Sequence, residues 1–163
     1  MSAINKKIGW PVGISLLIFV FSLWFYMHMR QQQNGMSVNC STIISYNHKV
    51  PDFIASLDMI FRLDKNLHGQ VILSGNMHSE RGVETISRTI LFNYEVNRPG
   101  EISVKDMHYA KNPRDTASDE SFINGFFYVP EGTTRLLRIN PLVNGWLIEN
   151  MQSPFALCVN RAS

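Results

Sequence analysis

The residues that could carry chemistry are few in this sequence, and their spacing matches no metal site. A zinc site needs about three or four convergent ligands. No two histidines form an HxxxH, HxH or HExxH spacing, so we expect no metal and no cofactor. Asp115 and Asp119 could form a carboxylate pair, but the polar loop 111–120 that contains them explains both more simply. The histidines are His28, His48, His68, His78 and His108.

Motifs of covalent catalysis and nucleotide binding are also missing from the sequence. It contains no GxSxG, Walker-type or GxGxxG pattern, each of which places a nucleophile or backbone amides at a turn. The loop 111–120 lacks the alternating ligands and central glycine of a calcium-binding EF-hand. We therefore predict that the protein is not an enzyme. An envelope hydrolase is the alternative, and it would need a convergent polar cluster.

The two cysteines, Cys40 and Cys158, allow a single intramolecular pairing. A disulfide is expected if the domain is exported to an oxidising compartment. Closing a loop of this length stabilises a fold by up to about 4–5 kcal/mol in the chain-entropy model. Bridged cysteines have Cα atoms within about 7 Å, so the first and last strands would meet and close a barrel. Two unpaired buried thiols are the alternative.

The N-terminal segment predicts a membrane anchor. Residues 8–27 contain no Asp, Glu, Lys or Arg, and the nineteen residues of Ile8–Tyr26 would span roughly 28 Å as a helix, close to the ~30 Å hydrocarbon core. We predict a cytoplasmic tail at 1–7 and an uncleaved transmembrane helix at 8–29. A cleavable signal peptide and a buried core helix are the alternatives.

Charge sets the expected orientation and excludes one class of partner. Lys6 and Lys7 precede the apolar segment and only Arg30 follows it closely, which favours a cytoplasmic N-terminus. The C-terminal domain would then lie in the bacterial periplasm, attached to the inner membrane. Residues 30–163 carry equal numbers of acidic and basic side chains, whereas a nucleic-acid binder needs a basic surplus. We expect no direct nucleic-acid contact.

Small residues in the apolar segment are candidates for helix–helix contact in the bilayer. Gly9 and Gly13 form a GxxxG spacing, and Ser15 and Ser22 lie seven residues apart. Small side chains let transmembrane helices approach closely. The alternative is that this common pattern arises by chance.

After a tether at residues 30–38, residues 39–163 alternate with a period of two, which indicates strands. A short helix near 119–124, capped by Ser118 or Asp119, interrupts them. Eight or nine short strands favour a mainly β domain, an antiparallel lipocalin-like β-barrel, with a β-sandwich as the alternative. The predicted strands are Cys40–Tyr46, Phe53–Asp64, Gln70–Met77, Val83–Val96, Glu101–Tyr109, Phe126–Val129, Thr134–Ile139, Trp146–Glu149 and Pro154–Val159.

The interior of such a barrel could hold a small ligand. Phe61, Met77, Phe92 and Trp146 are large or adaptable apolar residues and are candidates for lining a pocket. The alternative is that they only fill the core. An imperfectly closed barrel also leaves unpaired strand edges, to which a partner can add a strand.

The layout resembles the FidL-like putative membrane proteins of enteric bacteria: a short basic N-terminus, one apolar helix, and a β-rich domain with an early and a late cysteine. The resemblance covers most of the chain as a pattern. The segments that carry it are NCSTIISY (39–46), GQVILSGNM (69–77), ISRTILFNY (86–94) and NGWLIENMQSPFALCV (144–159).

The resemblance implies a function. FidL-like proteins are similar to the ToxS and VtrC type of small partner, whose lipocalin-like barrel associates with the periplasmic tail of a ToxR-like, membrane-bound winged-helix transcription regulator. Some such pairs sense bile salts. The expectation is thus a partner subunit that modulates such a regulator. A stand-alone periplasmic binder of a small hydrophobic molecule is the second hypothesis.

Overall fold

The computed structural model describes residues 5–32, 35–49, 52–80, 82–125, 130 and 132–161. The chain divides into two compact units, residues 1–34 and 35–163. The first contains one helix, and the second contains eight strands and a short helix.

Helix α1 spans Asn5–Gln32 and includes the predicted apolar segment. The fifteen side chains described on it, residues 13–27, are all exposed; Leu17 is 72% and Val20 54% exposed. Apolar side chains lie on every side of the helix, so it has no polar face suited to water. Over the described part of the chain, no helix combines the length and the apolar character that crossing a membrane requires.

The second unit is an antiparallel, eight-stranded closed barrel in which each strand pairs with its neighbours in the sequence and β8 pairs back with β1. The predicted mainly β class and the barrel are confirmed. The predicted strand at 126–129 lies outside the described residues. The elements are β1 Val38–Lys49, β2 Asp52–Leu63, β3 His68–Ser79, β4 Gly82–Arg98, β5 Glu101–Lys111, α2 Asp119–Gly125, β6 Arg135–Leu142, β7 Gly145–Asn150 and β8 Pro154–Asn160.

Alternation along the strands, most regular on β2, separates the barrel interior from its outer surface. On β2, Leu57 and Met59 are at most 1% exposed, whereas their outward-facing neighbour Ile54 is 56% exposed. Burying one such apolar side chain contributes about 1.5–3 kcal/mol. Register is therefore well defined, because a slip of one residue would turn the whole apolar set toward water.

One end of the barrel is closed by Tyr94, which is 1% exposed. Its hydroxyl donates to the carbonyl of Asp64 at 2.6 Å and accepts from the Met36 N–H at 2.7 Å. Asp64 in turn caps the β2–β3 turn, where its Oδ1 accepts from the N–H groups of Asn66 and His68. A single phenol thus fastens the segment before β1 to the turn between β2 and β3.

Replacing Tyr94 by phenylalanine is expected to lower the free energy of unfolding by about 1–3 kcal/mol, because the buried Met36 N–H loses its acceptor. Burial raises the pKa of the Tyr94 hydroxyl above its ordinary value. Its contribution is therefore fully present below about pH 10 and declines at higher pH, where the unfolded chain ionises first. Chemical denaturation of Y94F and the parent at neutral pH tests this, and equal unfolding midpoints would contradict it.

The barrel wall is uneven, because β6, β7 and β8 have 6 to 8 residues and β2 to β5 have 11 to 17. β1 pairs with β8 only through Cys40 and Ser41, and β5 pairs with β6 only through residues 101–104. Among the described strands, residues 42–49 and 105–111 therefore have a strand neighbour on one side only. We call these two segments the β1 edge and the β5 edge.

Candidate functional site

The barrel interior contains a cavity of about 50 Å³. All of its lining side chains except one are apolar, and they come from every strand except β1. Phe61 and Phe92 form part of the wall, with ring centroids 6.3 Å apart and tilted by 35°. The lining residues are Met59, Phe61, Val71, Ile90, Phe92, Val104, Met107, Arg135, Leu137, Ile148 and Phe155.

A glycine on β3 positions one of these rings. Gly69 pairs with Phe92 across β3 and β4, and a Cβ atom at Gly69 would overlap the Phe92 ring. The missing side chain lets the ring lie close to the neighbouring strand, which is a common reason for glycine inside a strand. The shape of the cavity wall therefore depends on Gly69.

Arg135 is the polar member of the lining. It begins β6 and pairs with Val104 of β5, and the alternation of β6 places it in phase with Leu137 and the fully buried Ile139. Its positive charge acts on the half-buried Tyr46 of β1: burial raises the pKa of the Tyr46 hydroxyl, and the charge of Arg135 opposes this rise. A guanidinium thus lies within electrostatic range of the phenol, at the apolar interior.

The four predicted pocket residues separate into two groups. Phe61 and Phe92 line the cavity. Met77 is 2% exposed on β3 and belongs to the hydrophobic core, and Trp146 on β7 packs against that core; neither lines the cavity. Sequence analysis missed Arg135, although its position in phase with Leu137 and Ile139 was a visible signal.

The predicted disulfide is confirmed. Cys40 on β1 and Cys158 on β8 are bridged, with their Cα atoms 5.4 Å apart and a separation of 118 positions in the sequence. Both side chains are at most 1% exposed. The bond crosses the β1–β8 seam, where only two residue pairs complete the ladder.

The predicted helix-contact residues all fall in α1. Gly13, Ser15 and Ser22 lie on the part of the helix whose side chains are described, and all three are exposed. A Cβ atom at Gly13 would have no neighbour within 4 Å. For Gly9, only the helical backbone is described. Helix contact remains a prediction.

A second polar group is buried on the inward-facing side of β4. Arg88 on β4 is 4% exposed and its Nε donates to Asp115 Oδ2 at 3.0 Å. Asp119 also contacts this guanidinium, at 3.0 Å, and the Phe122 ring centroid lies 4.2 Å from it. Asp115 and Asp119, predicted as loop residues, thus share one arginine and fasten the loop before α2 to β4. Each carboxylate is accounted for by this ion pair.

In the described ranges, no three His, Cys, Asp or Glu side chains lie close enough together to hold a metal ion. Comparison with known proteins gives no match among family models, curated proteins or solved structures.

Proposed function

We propose that this chain is a non-catalytic accessory subunit of the bacterial envelope, whose barrel binds a small apolar ligand and docks on a membrane-bound winged-helix regulator. The observation that carries the proposal is the uneven barrel wall. It combines an apolar cavity with two strand segments, the β1 edge and the β5 edge, that have a strand neighbour on one side only among the described strands.

Ligand binding is supported by the character of the cavity. Small-molecule sites are mostly apolar, with a few placed polar groups. Here ten apolar side chains surround Arg135, and the methionines Met59 and Met107 can adapt to a ligand because their side chains are flexible. This feature alone also supports the second candidate function, a stand-alone periplasmic binder of a small hydrophobic molecule, which would have no need of the strand edges.

Membrane attachment through α1 belongs to the same proposal. The uncharged stretch 8–27 and the exposed apolar side chains on all sides of the helix suit a lipid environment better than water. The flanking lysines support a cytoplasmic N-terminus. The disulfide supports a periplasmic lipocalin-like barrel, since such bonds persist in an oxidising compartment. This topology would place the barrel beside the periplasmic tail of a single-pass regulator.

Docking is supported by the direction of the backbone groups on the β1 edge. The carbonyl of Asn39 accepts from the N–H of Arg161 at 3.0 Å, so Asn39 faces the β8 side. The β1–β2 register is unbroken from residue 38 to 49, and backbone groups alternate sides along a strand. Ser45, six residues after Asn39, therefore directs its backbone groups to the same side of β1. It lies beyond Ser41, where the β1–β8 pairing ends. A regulator tail could add there as a further strand.

Signalling would follow from a ligand that binds one state of the complex better than another. Such a ligand shifts the population of the pair by its difference in affinity for the two states. Strand β5 contributes Val104 and Met107 to the cavity wall and also carries the β5 edge, so a ligand that moves these two side chains also acts on the β5 edge.

The docking proposal predicts that Ser45→Pro abolishes recovery of the regulator. Proline removes the N–H of residue 45, which is directed away from β2, and its ring blocks the pairing of a new strand. Proline is tolerated on edge strands because the N–H that it removes is not paired within the sheet. Full-length protein is purified from native membranes in mild detergent, and copurified proteins are identified by mass spectrometry. We expect the parent to retain a single-pass protein with a cytoplasmic winged helix, and S45P to lose it.

Ser45→Ala is the matched control, since it keeps the N–H and changes the same exposed side chain. It should retain the partner as the parent does, and both variants should retain the Cys40–Cys158 disulfide. If S45P recovers as much regulator as S45A, the β1 edge is not the docking site. If the parent recovers no such regulator, the stand-alone binder becomes the favoured function.

A further inference from the structure

Arg135 is the cation that lines the cavity. Arg88, Lys105 and Lys111 each have a carboxylate within 4.0 Å, in Asp115 and Asp119, Glu95, and Asp115 respectively. Arg135 has none among the described residues. In the β5–β6 ladder, the backbone of the nearby acid Glu101 lies opposite Arg138 rather than opposite Arg135.

The position of Arg135 makes this missing carboxylate significant. The Arg135 side chain is half-buried, and a guanidinium taken partly out of water loses hydration that a counter-charge and hydrogen bonds can replace. Here the surroundings are the apolar side chains of the cavity, including its strand neighbours Val104 and Leu137. An anionic ligand group would supply the counter-charge, and a carboxylate matches the two parallel N–H groups of arginine.

The size of the cavity restricts the rest of the ligand. Its volume is about 50 Å³, whereas an engineered apolar cavity that accepts benzene measures about 150 Å³. A rigid fused-ring molecule would need several wall residues to move together. A long alkyl chain also exceeds this volume, but it can enter by stepwise rotamer changes of the wall, which the flexible side chains of Met59 and Met107 can make at low cost.

We infer that the cavity is a binding site for an anionic single-chain amphipath, a fatty-acid-like carboxylate whose head group pairs with Arg135 and whose chain lies between Phe61 and Phe92. This inference rests on the proposed ligand-binding function and narrows it to one chemical class. It disfavours the bile salts that the family resemblance suggests, since their body is a rigid fused-ring system.

The test uses full-length protein in lipid nanodiscs and dodecanoate labelled with ¹³C at the carboxyl carbon. Empty nanodiscs give the signal of dodecanoate dissolved in the bilayer. We expect a separate bound carboxylate resonance that saturates at one ligand per protein. Arg135→Gln should weaken this binding by about tenfold or more, as expected for loss of a charged hydrogen-bonding partner, and Arg135→Lys should restore part of it.

Arg138→Gln is the matched control, because Arg138 lies on the same strand but is exposed. It should bind dodecanoate like the parent. Dodecanol, which has the same chain without the charge, should bind the parent more weakly than dodecanoate does, and Arg135→Gln should remove that difference. Cholate should displace neither ligand at equal concentration. Each variant is first shown to be folded by its circular dichroism and by its intact disulfide.

Two different failures are distinguishable. If dodecanol or cholate saturates the parent and the affinity does not depend on Arg135, the anionic single-chain class is wrong while ligand binding by the barrel stands. If no probe produces a saturable signal above that of empty nanodiscs, this inference is overturned and the ligand-binding part of the proposed function loses its support.

Discussion

Replacing both Cys40 and Cys158 by alanine is expected to lower the free energy of unfolding of the barrel by about 4–5 kcal/mol. The two residues are 118 apart in the sequence, and in the chain-entropy model a cross-link over a loop of this length restricts the unfolded chain by about that amount. The free energy of unfolding of a small domain is about 5–15 kcal/mol, so the variant would lose a large part of its stability.

The place of the bond in the fold gives the loss a structural consequence. β1 and β8 share only the pairs Cys40–Asn160 and Ser41–Val159, and the bond is the covalent link across this seam. Without it, we expect the seam to open before the rest of the barrel unfolds. The long strands β2 to β5 form an extensively paired sheet, which has no comparable weak point.

Guanidinium unfolding of the full-length protein in micelles, followed by circular dichroism of the strands, measures the loss. The parent treated with reductant provides a control that changes no residue, and it should unfold at nearly the same denaturant concentration as the double variant. Amide hydrogen exchange should show faster exchange on β8 and on β1 near Ser41 than on β3. An unchanged unfolding midpoint would mean that the remaining contacts hold the seam without the bond.

The sequence predicted the barrel well because alternation is a direct consequence of a wall with one apolar face. Leu57, Met59 and Phe61 recur at every second position of β2 and are all buried. Of the nine predicted strands, eight match described strands, and the ninth, at 126–129, lies outside the described residues. The two cysteines favoured a barrel over a sandwich, since a bond between the first and last strands brings the two ends of the sheet together. Strand ends shifted by a few residues, as for β1, which begins at Val38.

The candidate site was only half predictable, for a reason visible in two arginines. Arg88 lies between Ile86 and Ile90, and Arg135 precedes Leu137, each in phase with the inward-facing apolar residues. An interpretation that considers only the apolar residues of the alternating pattern misses an arginine on the same face of the strand. What compensates that charge is a matter of tertiary structure: Arg88 meets Asp115, 27 residues away, and no local pattern reports such a pairing.

Replacing Asp115 by asparagine should produce the second large effect, a loss of about 3–5 kcal/mol, because it leaves the buried Arg88 without its buried counter-charge. The Asp115 side chain is fully buried and that of Arg88 is 5% exposed. Asp115 Oδ2 also accepts from the N–H of Ser87 at 2.8 Å. One carboxylate therefore joins a guanidinium, a strand amide and the loop before α2.

Other contacts of Arg88 remain in the Asp115→Asn variant and limit the loss of stability. Its Nη2 reaches the carbonyl of Ala117 at 3.1 Å and the carboxylate of Asp119 at 3.0 Å. The Asp119 side chain is 74% exposed, so solvent screens its attraction. Asp119→Asn alone should therefore cost at most about 1 kcal/mol, the scale of exposed ion pairs, while Asp115→Asn costs several times more.

An exposed ion pair between β4 and β5 provides the matched control. Lys105 and Glu95 lie 2.7 Å apart, with side chains 40% and 61% exposed, and Glu95→Gln should change the free energy of unfolding by less than about 1 kcal/mol. Replacing Arg88 by methionine and Asp115 by leucine together should recover much of the loss, because an apolar pair leaves no buried charge unpaired. Denaturant unfolding of the four variants measures these differences. If D115N lowered the free energy of unfolding no more than E95Q does, the Arg88–Asp115 pair would only orient the loop before α2. In that case amide hydrogen exchange at residues 115–118 would change instead.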